Sequence, residues 1–78
     1  MVSNLQKTLL EAAAKEQPGL IMDIFGIAAI LHDFDTVIYI VDNYLTVFPE
    51  EDREKVQEIA HKAQLIRAEE QRQSATIN

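Results

Sequence analysis

From Gly19 to Phe48 the chain reads GLIMDIFGIAAILHDFDTVIYIVDNYLTVF, without a single lysine or arginine. Its formal charges at neutral pH are all negative, on Asp23, Asp33, Asp35 and Asp42. A segment this apolar needs burial, yet the whole chain has only 78 residues, near the size at which one core is marginally stable without staples. The flanking segments must therefore cover it, and they read as amphipathic helices. The expected architecture is all-α: one domain, a compact bundle of four short helices at about 3–16, 19–31, 36–48 and 50–72.

Ser3 is placed to cap the first helix, with Gln6 three residues on as the reciprocal half of a capping box. Leu5, Leu9, Ala12 and Ala13 form its apolar stripe, with Val2 just outside, while Lys7, Glu11 and Lys15 lie opposite. Gln17-Pro18-Gly19 ends it, because the residue before a proline is pushed out of helical geometry. On the second helix Leu20, Ile24, Ile27 and Leu31 make one apolar line, widened by Ile21, Phe25 and Ala28. Met22, Gly26 and Ala29 leave the remaining side thin rather than polar. A helix apolar nearly all round is a buried helix, and its thin side suits a close backbone approach.

His32-Asp33-Phe34-Asp35 breaks the pattern, and Asp35 is the expected cap of the third helix. Thr36 to Val41 has the β-branched and aromatic content of a strand. The longer segment nevertheless follows the helical period: Val37, Ile40, Val41, Tyr44, Leu45 and Phe48 face inward, Ile38 and Val47 flank them, and Tyr39, Asp42, Asn43 and Thr46 gather on a polar side. Pro49 separates this helix from the fourth, whose first turn carries Glu50, Glu51 and Asp52 where amide dipoles favour negative charge. Val56, Ile59, Ala60, Ala63 and Ile66 form its stripe, and Leu65 lies off it. Residues 67–73 read as helix projecting into solvent or along a partner, and residues 74–78 as a frayed tail.

Two features point to self-association. The second helix has almost no solvent-compatible face, and a domain this small covers a central helix only in part. A homodimer is expected, with Ile21, Phe25, Gly26, Ala29 and Leu65 serving dimer or core packing.

Charge narrows the partners. The net charge of −6 is concentrated in the middle of the chain: residues 1–18 balance two bases against two acids, residues 19–52 hold seven acids and no base, and residues 53–78 hold five bases against four acids. Such a field repels nucleic-acid backbones and anionic membranes and favours a basic protein surface. The second and third helices superficially match helix–turn–helix spacing, but the would-be recognition helix carries Asp42 and no base for phosphate. No secretory signal is read in the first residues, and the apolar runs are too short or too interrupted by aspartate to span a bilayer. A cytoplasmic location is expected, without direct nucleic-acid or membrane binding.

Reactive chemistry has little to build on. With no cysteine, disulfides and thiolate metal sites are excluded. The hydroxyl residues lack an adjacent base, and only Gly19 and Gly26 are available, too few for a glycine-rich phosphate loop. The one constellation of interest is His32-Asp33, with Asp35 nearby and His61 on the fourth helix, as a metal-assisted hydrolase would use. Zinc spacing on a helix is missing, and no cofactor or metal is expected. The leading reading is a non-enzymatic interaction protein (a regulator, adaptor or inhibitor) docking through Asp33, Asp35 and Asp42 with Tyr39 as anchor. The alternatives are the hydrolase, a structural subunit of a homo-oligomeric assembly, and an inhibitor whose acids imitate DNA phosphates.

Overall fold

The computed structural model describes the backbone of residues 2–77 and the side chains of residues 2–72. The described residues form four α-helices and one 3-10 turn: α1 (Asn4–Glu16), α2 (Gly19–Ile30), α3 (Phe34–Tyr44), the turn Leu45–Val47, and α4 (Glu50–Ile77). The protein is an all-α bundle in which sequential helices are neighbours.

The capping box at the start of α1 is complete. Gln6 N–H donates to Ser3 Oγ at 3.1 Å, and Ser3 N–H donates to Gln6 Oε1 at 2.8 Å. At the other end Gln17 N–H closes on the Ala13 carbonyl at 2.8 Å before Pro18 turns the chain. Val2 shares a groove with Asp35 and Tyr39, so α1 begins where α2 ends and α3 starts. Helices α1 and α2 are thus antiparallel. Arg67 of α4 pairs with Asp35, and Arg53 reaches the carbonyls of Thr46 and Phe48, so α4 runs antiparallel to α3.

The core is built from Leu10, Ile21, Phe25, Ala28, Val37, Ile40, Phe48, Val56, Ala60 and Ala63. Phe25 meets Phe48 edge to face, ring centroids 5.3 Å apart, an arrangement in which the positive edge of one ring meets the negative face of the other. The inward face of α3 follows the period read from sequence. The faces of α1 and α2 do not. On α1 it is Leu10 that enters the core, leaving Leu5 and Leu9 exposed. On α2 the buried edge is Ile21–Phe25–Ala28, and Leu20, Ile27 and Leu31 stand exposed. Ile59 and Ile66 likewise lie at the rim of the α4 stripe rather than within it.

Helix boundaries also shift. α3 starts at Phe34 rather than 36 and tightens into the 3-10 turn over its last expected turn, while α4 continues to Ile77. At about 1.5 Å per residue, a 28-residue helix accounts for most of the 46 Å long dimension of the molecule. The radius of gyration, 13.4 Å, accordingly exceeds the ~11.5 Å of a compact domain this long.

Candidate functional site

The corner between α2 and α3 carries three of the polar residues singled out by sequence, His32, Asp33 and Asp35. Asp33 N–H bonds the Ala28 carbonyl at 2.8 Å and His32 N–H bonds the Ala29 carbonyl at 3.2 Å. That pair of bonds is the Schellman termination, which wants a left-handed residue just past the helix end, usually glycine. Here the position is His32, at φ 59°, and its ring stacks on Phe34 with centroids 5.6 Å apart.

Asp33, not Asp35, caps α3. Its carboxylate accepts from Thr36 N–H at 3.4 Å and from Thr36 Oγ1 at 2.6 Å. The second bond matters because Thr36 is buried, and a hydroxyl without a partner there would be destabilising. Displaced from the cap, Asp35 instead pairs with Arg67, Oδ1 to NH1 at 2.6 Å. Two cap-competent aspartates stood two residues apart, and the buried Thr36 at the third helical position after Asp33 was the signal that selects between them.

The other predicted docking residues lie along α3. Tyr39 is half-buried; Lys7 Nζ sits 5.8 Å from its ring centroid, and Tyr44 meets it edge on at 6.2 Å. Burial holds the Tyr44 phenol above its ordinary value, with Tyr39 and the Glu11 carboxylate acting in the same direction. Asp42 is exposed and lines a shallow groove with Val2, Lys7, Asp35, Tyr39 and Arg67. Asp35, Tyr39 and Asp42 are therefore brought together, between two cations that moderate their field. Asp33 stands on the adjoining side of the corner, with Glu70 and Gln71 of α4.

The residues assigned to dimer or core packing divide. Ile21 and Phe25 belong to the protomer's own core, and Ala29 packs half-buried against it. Gly26 is exposed, and a Cβ added there would meet nothing within 4 Å. Leu65 is 57% exposed on the far side of α4. A second groove, missed in the sequence, opens between the end of α2 and the middle of α4, lined by Ala29, Phe34, Val37, Ile59, Ala63 and Ile66.

Among the described residues no three His, Cys, Asp or Glu side chains converge in a way that could hold a metal ion. His61 is exposed and lines neither groove at the corner. No helix is long and apolar enough to cross a membrane among the described residues. Comparison with protein-family models, curated proteins and solved structures finds no match.

Proposed function

We propose that this chain is a non-enzymatic interaction protein that self-associates and docks onto a partner protein with a basic surface. The observation carrying this reading is the amount of apolar surface left outside the core. Leu5, Leu9, Leu20, Ile27, Ile30 and Leu31 are all more than two-fifths exposed, Ile30 at 79% and Leu31 at 72%. The accessible surface, 5723 Å², stands above the ~4,800 Å² usual for a monomer of 8.9 kDa. An overhanging α4 contributes to that excess, and the exposed leucines and isoleucines of α1 and α2 contribute the apolar part.

Charge supports the choice of partner. Residues 32–78 hold ten acids against five bases, net −5, whereas residues 1–31 hold three acids against two bases, net −1. A basic surface would be steered to the α3–α4 half, where Asp42 is among the exposed acids. A hydrolase built on His32 and Asp33 gains no support from the donor geometry.

The test is affinity capture from native extract at moderate and high salt, with Asp42→Lys and Tyr39→Ala proteins in parallel. A specific partner should be retained at moderate salt and weakened both by high salt and by Asp42→Lys. A partner indifferent to salt and to both substitutions would remove the acidic face from the account. Stoichiometric metal in the purified protein, lost in His32→Ala and accompanied by no partner, would favour the hydrolase.

A further inference from the structure

We infer that the surface of self-association is the outer face of the α1–α2 hairpin, centred on Leu9 and Ile27, seated against the same face of a second copy in a two-fold dimer. The inference deepens the self-association part of the reading above and rests on it.

Helix geometry brings the exposed residues together. On α1, Lys7 lies over Tyr39 of α3, so that edge of the helix is turned toward α3. On α2, Ala29 lines the groove with α4, so that edge is turned toward α4. The edges left for the seam between α1 and α2 carry half-buried Ala13 on one helix and half-buried Ile24 on the other. Leu9 lies one turn from Ala13, and Ile27 one turn from Ile24, on those same edges. Because the helices are antiparallel, Leu9 falls beside Ile27 and Leu5 beside Leu31. Leu20 and Ile30 extend the patch along the outside of α2.

Its size fits a second copy. At their stated exposures, these six residues present roughly 700 Å², above the ~300–600 Å² of the largest patch on an ordinary monomer and near the ~800 Å² that each partner gives to a standard interface. Its charge fits as well. The hairpin half of the chain has a net charge of only −1, against −5 for the rest, so two hairpins meet with little repulsion while the acidic halves stay apart. A basic partner has no electrostatic reason to choose the hairpin; a second copy does not need one. A two-fold arrangement through this face also turns both α3–α4 surfaces outward, giving the dimer two equivalent acidic faces and the avidity that follows when a partner can span them.

Sedimentation equilibrium over a micromolar concentration range tests this with four proteins: wild type, Leu9→Glu, Ile27→Glu and Leu65→Glu. All three substituted positions are exposed, so each protein should keep its helical circular dichroism. Wild type and Leu65→Glu should reach twice the 8.9 kDa chain mass, and Leu9→Glu and Ile27→Glu should remain at the chain mass. A wild type that stays monomeric overturns the proposal, as does a dimer that survives both hairpin substitutions. A monomeric wild type whose captured partner is lost in Ile27→Glu assigns the face to a foreign protein: the second copy is then wrong and the docking reading stands. A hairpin-dependent dimer that captures nothing supports the proposal and leaves the docking reading without its partner.

Discussion

Helices α2 and α3 come from the same apolar stretch, yet they differ in what their sequences specify. Along α3 and the 3-10 turn that continues it, the polar residues Asp42, Asn43 and Thr46 occupy one side, so only one rotation buries Val37 and Ile40 while leaving those three in water. Asp42, Asn43 and Thr46 are exposed, and Val37 and Ile40 have 1% and 0% of their surface left. Along α2 the one charged side chain is Asp23, and apolar residues surround it. Nearly any rotation of that helix buries leucine, isoleucine or phenylalanine. Tertiary packing decides, and it chooses Ile21, Phe25 and Ala28, where Phe25 reaches Phe48. A helix with a polar side tells the chain how to turn it; a helix without one is turned by its neighbours and exposes whatever is left.

The largest test of this contrast lies within α2 itself. Ile21→Asp puts a charge at a position with no exposure, and the desolvation penalty of an unpaired buried carboxylate is several kcal/mol, comparable with the ~4–12 kcal/mol total stability of a chain this long. Loss of the helical circular dichroism signal at 25 °C is expected. Ile27→Asp, at a position 57% exposed, should keep that signal and melt cooperatively. Equal damage from the two would break the account of α2.

A second test moves to the junction of the two helices. Asp33→Ala removes the cap of α3 and strands the buried Thr36 hydroxyl, which should cost about 2 kcal/mol in urea unfolding. Asp35→Ala removes a partly exposed ion pair with Arg67 and should cost less, about 1 kcal/mol or below. The reverse order would restore Asp35 as the cap.

An effect smaller than loss of the α3 cap has the opposite sign. Gly26 sits mid-helix with open space around it, so Gly26→Ala should stabilise the protein by about 0.5–1 kcal/mol, since glycine loses more backbone freedom on entering a helix. Destabilisation would mean that another backbone does approach α2 on its thin side, as the sequence suggested.

These cases also mark how far the sequence could be read. Helix number, order and breaks were legible because proline, glycine and capping residues act locally: Ser3 with Gln6, and Pro18 and Pro49. The core face of α3 was legible because its polar side is explicit. The faces of α1 and α2 were not, since Leu5, Leu9 and Leu10 offer α1 two workable rotations and the choice depends on a neighbour. The α2–α3 corner was read as a break, but its geometry depends on His32 adopting a left-handed conformation that usually falls to glycine. The groove beneath Ile59 and Ile66 depends on where α2 ends relative to α4, which no local pattern encodes.

Because the chain has no cysteine, thiol labelling can read directly which way α2 is turned. Single-cysteine proteins, Ile21→Cys and Ile27→Cys, are labelled with a thiol reagent under native conditions, at concentrations below and above self-association. Position 27 should react nearly as fast as in the unfolded chain when dilute and slow as concentration rises. Position 21 stays protected throughout, opening only with global unfolding. Rapid labelling at 21 together with protection at 27 in dilute solution would show that α2 is turned the other way.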